Sequence, residues 1–285
     1  MASKVVDDRN RTVILAQPPR RIVSLVPSDT LTLALLGGLD RLVGRTDYCV
    51  LPAGVERVAS VGGTKDASAE RILALAPDLV VANQEENSRQ TLEKIVEAGV
   101  PLFIAFPKRV EDGIALVARY ARMLGVEKAP HVVSLVRDGY QRLAAARAAE
   151  RPRRTVFCPI WAEPLMTIRG DTYLSATLEL AGLDNVFRDR SRKYPLAADL
   201  GKVRALDPDK VGERDTRYPR ITEDELRAAD PDVVVLPDEP HPFTAEEGAH
   251  FAALLPRAKV VHVDGKDLCW YGARAVEAIP RLLAL

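Results

Sequence analysis

Short apolar runs alternate with longer amphipathic stretches along this chain of 285 residues. Val5-Val6 and Thr12 to Leu15 flank the polar run Asp7 to Arg11 and predict a small N-terminal hairpin decorating a sheet edge. Arg21 to Val26 is an apolar run stopped by Pro27. Ser28 then stands where an N-cap belongs, with a helix expected through Leu36 and ending at Gly37-Gly38. The same order recurs, with strands expected at Asp78 to Ala82, Leu102 to Ala105, Thr155 to Ile160, Asp232 to Leu236 and Val260 to Val263. Short apolar strands alternating with helices predict parallel sheets of β-α-β units, an α/β fold.

One unit of this pattern occurs twice. Glu70 to Ala82, with Pro77-Asp78 at its turn, is echoed by Asp224 to Leu236, where Pro231 follows Pro77 by 154 residues. An acid-started helix, a Pro-Asp turn and a buried strand, repeated half a chain apart, suggest two similar lobes. Between the copies, Glu111 to Leu124 reads as a helix ended by Gly125, and Pro130 opens another reaching about Glu150. A helix of that size spans about 30 Å and suits a stiff connection. The expected organisation is an N-terminal α/β lobe over 1–127, a linking helix over 128–152 and a C-terminal α/β lobe over 153–285.

Composition removes several function classes. Forty basic residues balance forty acidic ones, so no whole-chain field favours a nucleic acid or an anionic membrane. No window approaches 18 apolar residues, and a spanning helix is not expected. Cys49, Cys158 and Cys269 are too scattered for a disulfide framework. The start, Met1 to Asp8, shows no apolar leader core, which reads as cytoplasmic as written; a removed leader would make the protein periplasmic or extracellular. The motifs GxGxxG, GxxxxGK[ST] and GxSxG are missing, and Gly62-Gly63-Thr64-Lys65 reads as a tight turn. The four histidines, His131, His241, His250 and His262, form no HxxxH pair that would suggest a dedicated metal site.

In order along the chain, Arg21 to Ser28, Asp47-Tyr48-Cys49, Val61 to Thr64 and Glu70 to Val81 resemble the N-terminal lobe of cobalamin- and siderophore-type ABC-transporter binding proteins, the helical-backbone, TroA-like group. Val156-Phe157, Asn185 to Phe187, Tyr218 to Thr222 and Pro231 to Val235 continue the resemblance through the C-terminal half, and the cobalamin-binding branch is the nearest match. The resemblance implies two Rossmann-like lobes with parallel sheets joined by a long rigid backbone helix, the class III periplasmic-binding-protein fold. It implies non-enzymatic binding of cobalamin or another corrinoid between the lobes, with no catalytic cofactor, by a monomer that is either the binding protein of an ABC importer, delivering to a permease, or a cytoplasmic relative of one. A siderophore, haem or another metal chelate is the alternative ligand, and an enzyme acting on such a ligand is the alternative of a different class.

By this resemblance Tyr48 and Tyr218 fall on family aromatic contacts, while Thr64 stands where the cobalamin branch has a tryptophan. Trp161 lies one place from a further family aromatic, and Trp270-Tyr271 lies in the last cleft loop. Aromatic faces suit a flat macrocycle. Asn83 and Glu85 follow a buried strand and are expected at the cleft mouth; Tyr173 and His241 follow other strands, and His241 or Tyr48 suits an axial contact to a metal centre. The acids matching the family's permease contacts are Glu70 and Asp224, which equally suit helix first turns, where the dipole favours them by about 0.3–1 kcal/mol. The charged and proline-rich run from Arg188 to Arg217 departs from the family pattern and is expected to form a flap.

Overall fold

The computed structural model describes residues 2–285, which form two compact units, one of the residues up to Leu143 with Trp270–Glu277 and one of Ala144–Cys269 with Ala278–Leu285. The segment Trp270–Glu277, read from the sequence as part of the C-terminal lobe, therefore completes the first unit.

The first unit is built on five parallel strands in the order Ala59–Ser60, Leu42–Arg45, Ile22–Ser24, Leu79–Asn83, Leu102–Ala105. The last three are buried along their whole length, which is why they read as continuous apolar runs rather than as alternations. Chain order runs outward from Ile22–Ser24 in one direction, then restarts at Leu79–Asn83 and runs in the other. The carboxyl ends of those two strands thus form a topological switch point, where open α/β sheets place ligands. The expected hairpin is present as Ser3–Val6 against Thr12–Leu15. It is fastened to the edge strand: the Asp8 backbone N–H donates to Ile104 O at 3.0 Å, and the Phe106 N–H donates to the Asp8 carboxylate at 2.6 Å.

The first helix differs from its sequence reading. Val26 is the N-cap and Pro27 occupies the first turn of Pro27–Leu33, so Ser28 lies inside the helix rather than capping it. Ser28 is buried and its hydroxyl bonds Tyr271, a use that competes with capping. A wider turn over Ala34–Gly38 follows and stops where Gly37 takes φ 85°, a conformation glycine adopts at little cost. The helix Val110–Leu124 ends at Gly125 as expected. Pro130–Ala148 forms the second long helix and carries the chain from one unit to the other. Within the first unit, its Arg142 donates to Val276 O at 2.8 Å. Its Gly139 lies so close to Ile114 and Val276 that a Cβ would stand only 3.0 and 2.9 Å from their methyls.

The second unit has four parallel strands in the order Leu183–Asn185, Arg154–Phe157, Val233–Pro237, Lys259–Val263, with its switch point between the middle two. The single strand expected over Thr155 to Ile160 breaks at Cys158, and Pro159–Trp161 leaves to pair antiparallel with Met166–Thr167. The Arg188 to Arg217 run is tied down within this unit. Buried Asp199 accepts from Arg190 at 3.2 Å, from the Lys193 N–H at 2.5 Å and from the Arg220 N–H at 3.3 Å. No helix among the described residues is long and apolar enough to cross a membrane.

The repeat has a physical basis in each copy. Ser68 and Thr222 cap their helices by accepting from the Arg71 and Glu225 backbone N–H groups. Ala76 and Asp230 then take φ 43° and 42°, turning the chain back toward the sheet. The turn acids reach sideways to the start of the neighbouring strand. Asp78 accepts from the Arg20 and Arg21 N–H groups at 2.8 and 2.9 Å, and Asp232 accepts from Thr155 N–H at 2.7 Å. Each Pro-Asp turn therefore pins two parallel strands at their amino ends. Ala76 holds a left-handed conformation that costs an L-residue roughly 1–2 kcal/mol, against roughly 0.4–1 kcal/mol for the extra freedom of glycine in the unfolded chain. Ala76→Gly is accordingly expected to raise the stability of the first unit by about 0.5–1 kcal/mol, read as a higher urea midpoint.

Candidate functional site

In the first unit, parallel strands deliver their following loops to one edge of the sheet. Tyr48 follows Leu42–Arg45, Thr64 follows Ala59–Ser60, and Glu85 follows Leu79–Asn83. Tyr48 is 63% exposed, and its ring edge lies against Gly63, where a Cβ would come within 3.3 Å of it. Gly62 makes this approach possible with φ 110°, while its carbonyl accepts from the Asp47 N–H at 2.9 Å. The turn after Val61 thus brings backbone up to the Tyr48 ring. Asn87 ties its own loop to the Thr64 turn and to the end of Ile22–Ser24: its side-chain amide donates to Leu25 O at 3.1 Å and to Thr64 O at 2.9 Å, and its oxygen accepts from Asn83 N–H at 2.8 Å. Glu85 is half-buried, its carbonyl bonded by the Lys65 ammonium and its N–H donated to Asn83 Oδ1 at 2.7 Å.

Asn83 and Tyr271, both expected to meet a ligand, are instead buried and bonded to each other. Asn83 Nδ2 donates to Tyr271 Oη at 2.9 Å, and Tyr271 Oη donates to Asp29 at 3.1 Å. Tyr120 Oη donates to the other Asp29 oxygen at 2.6 Å. The switch point of this unit is therefore filled by its own return segment, which brings Trp270 into the interior as well. Burial pushes the Asp29 carboxyl up to about 7, against the opposing pull of the two phenol hydrogen bonds. Burial also pushes both phenols well above their ordinary range, with the nearby Asp29 charge adding to the effect. Asp29 and Tyr120 are the functional-looking residues that the sequence reading passed over. The available signal was an acid in the run Ser28 to Leu33, whose helix buries every residue after its first.

In the second unit the switch point carries an exposed aromatic ring. Trp161 and His241 follow the paths of its two central strands, and their ring centroids stand 5.4 Å apart. Trp161 is 46% exposed. Phe243 backs the imidazole at 4.6 Å, and His241 Nε2 meets Glu247 Oε1 at 2.8 Å. Glu247 is fixed by its helix: its second oxygen accepts the Thr244 N–H at 2.7 Å in a capping box at the start of Ala245–Leu254. That backbone bond, followed by the one from His241, holds the Glu247 carboxyl below its usual range.

The other expected contacts of this unit are more enclosed. Tyr218 packs against the core beneath the sheet, with the Arg217 guanidinium 5.7 Å from its ring centroid. Tyr173 is buried as the first residue of the helix Tyr173–Leu180, where the Thr172 cap turns it inward. Glu70 and Asp224, each two residues beyond a helix cap, are exposed. Glu70 bonds Ser68 and Lys94, and Asp224 accepts from Arg227 at 2.7 Å.

A family model described as periplasmic binding protein matches residues 22–235. The chain is 31% identical over 184 residues to the vitamin B12-binding proteins of Yersinia pestis (strain Pestoides F) and Yersinia pseudotuberculosis (serotype O:1b, strain IP 31758). These matches cover 63% of this chain and 64% of the length of each relative. The periplasmic vitamin B12 binding protein of Vibrio cholerae shares the fold, with a TM-score of 0.74 at 20% identity, over 94% of this chain and 96% of that one. The periplasmic heme-binding protein of Roseiflexus sp. RS-1 does so too, with a TM-score of 0.70 at 22% identity, over 93% and 97% of the two chains. With its parallel α/β sheets matching such structures and the family model covering most of its length, the chain belongs to the periplasmic binding protein family.

Proposed function

We propose that this protein is a non-enzymatic receptor for a corrinoid, acting in the periplasm and delivering its ligand to an ABC permease. The observation that carries the reading is the exposed aromatic surface at strand carboxyl ends in each unit: Tyr48 in one, Trp161 beside His241 in the other. A corrinoid has large apolar faces fringed with amides. Aromatic rings suit the faces, and Thr64, Glu85 and Tyr218 offer polar groups for the fringe. The kinship with vitamin B12-binding relatives supports the ligand class. Glu70 and Asp224 are the proposed permease contacts, presented by equivalent turns of the repeat. Asn83, Tyr173, Trp270 and Tyr271 serve by holding the loops and sheets that carry these surfaces.

The test is to mix the purified protein with cyanocobalamin, desalt it, and follow the retained visible spectrum together with quenching of tryptophan fluorescence. Stoichiometric retention is expected. Tyr48→Ala and Trp161→Ala should each weaken binding by about 1.5 kcal/mol, roughly tenfold in affinity. No retained corrinoid and no quenching would rule the corrinoid out; unchanged affinity in either variant would remove that ring from the site.

A further inference from the structure

His241 is arranged for more than packing. Its ring is wedged between Trp161 and Phe243, and its Nε2 is held by Glu247. Glu247 already accepts the Thr244 N–H with its second oxygen at 2.7 Å and meets Nε2 with the first at 2.8 Å; a carboxylate held this way only accepts, so Nε2 carries the proton. In the neutral ring the lone pair then sits on Nδ1, for which there is no hydrogen-bond partner among the described residues. A carboxylate fixing one imidazole nitrogen while the other is left as a donor to a metal is the arrangement that orients histidine ligands and raises their basicity. Here it stands at the switch point of the second unit, beside the exposed Trp161 ring.

We propose that His241 is an axial ligand, through Nδ1, to the metal centre of a planar macrocyclic chelate resting on Trp161. The proposal builds on the corrinoid reading and names the contact by which the site senses the cobalt. With a water-ligated corrinoid the step is a ligand exchange. The Nδ1 lone pair forms the cobalt–nitrogen bond, the cobalt–oxygen bond breaks, water leaves, and no oxidation state changes. A cyanide-ligated corrinoid holds its axial position and resists the exchange. Glu247 acts as a positioning residue, and the site should prefer chelates with an exchangeable axial position.

The experiment compares hydroxocobalamin, cyanocobalamin and haemin on the wild-type protein, His241→Ala and Glu247→Gln, reading affinity and the absorption bands of each chelate. On the wild-type protein the hydroxocobalamin bands are expected to move as imidazole replaces water. His241→Ala should abolish the shift. Glu247→Gln, which keeps an oxygen for the Thr244 N–H, should lower the preference for hydroxo- over cyanocobalamin about tenfold. A purely structural role would weaken both corrinoids alike and leave their ratio unmoved, overturning the proposal. Retention of both corrinoids with unshifted bands would also overturn it while leaving the corrinoid reading in place. A shift of the haemin Soret band that needs His241, without corrinoid retention, would uphold the ligation and overturn the corrinoid. Retention of none of the three would overturn both.

Discussion

At pH 5, Asp29→Ala is expected to cost the first unit about 4 kcal/mol, because two buried phenol donors lose their acceptor at once and each such loss costs roughly 1–3 kcal/mol. Tyr120 and Tyr271 reach Asp29 from 91 and 242 residues further along the chain, at 2.6 and 3.1 Å, and both phenols are buried away from water that would replace it. The same carboxyl makes stability depend on pH in an unusual direction. Its value rises from 3.8 to about 7 on folding, mainly through burial, so the native state holds the proton longer than the unfolded chain does. Below about pH 4 both states are protonated and the contribution of Asp29 is fully present. Between about pH 4 and 7 the unfolded chain ionises first, the native state binds the extra proton, and stability falls as pH rises, by on the order of 4 kcal/mol across the window. Asp29→Asn does not titrate and is the reference. In urea titrations across that range, the stability of the wild-type protein relative to Asp29→Asn should decline steadily. A difference that stays flat from pH 4 to 7 would show that Asp29 ionises no differently in the fold than in the open chain.

Gly272→Ala is expected to destabilise the same unit by about 3 kcal/mol or more, from two causes that can be separated. Gly272 has φ 74°, and a Cβ built there would overlap Thr32 Oγ1. Thr32 cannot simply swing away. Its hydroxyl donates to Ser28 O at 2.8 Å and accepts from Ala273 N–H at 3.1 Å, fastening the return segment to the first helix. In a double-mutant cycle with Thr32→Ala, the overlap should vanish while the left-handed strain stays, giving a coupling of about 1–2 kcal/mol. Strict additivity would place the whole effect in the backbone.

The contrast between these two residues and the repeat explains what the sequence could reveal. Strands such as Leu79–Asn83 and Val233–Pro237 were legible because burial on both faces writes itself locally as an apolar run, and the Pro-Asp turns were legible because capping and turn chemistry act over a few residues. The exposed ring of Trp161 was legible for a related reason, since a residue at the end of a strand lands at its carboxyl edge whatever the rest of the chain does. Tyr48 follows Leu42–Arg45, a strand too short and too polar to be read from the sequence, and was named only by the family resemblance. Asn83 and Tyr271 show where that logic stops. Both follow elements correctly placed, yet they are 188 residues apart and satisfy each other, and nothing local distinguishes a polar side chain facing a ligand from one facing a distant phenol. Asp29, 242 residues from Tyr271, was invisible for the same reason.

The return of Trp270–Glu277 to the first unit also sets an order of events during synthesis. As the chain leaves the ribosome, residues up to Leu143 emerge with Asp29 facing one phenol of its eventual pair and with the Thr32 hydroxyl lacking its later donor. The second phenol arrives only after every strand of the second unit has been made. The N-terminal half therefore cannot reach its final form ahead of the C-terminal half. Completion of both belongs to nearly the same moment, when Trp270–Glu277 and the residues after it come free.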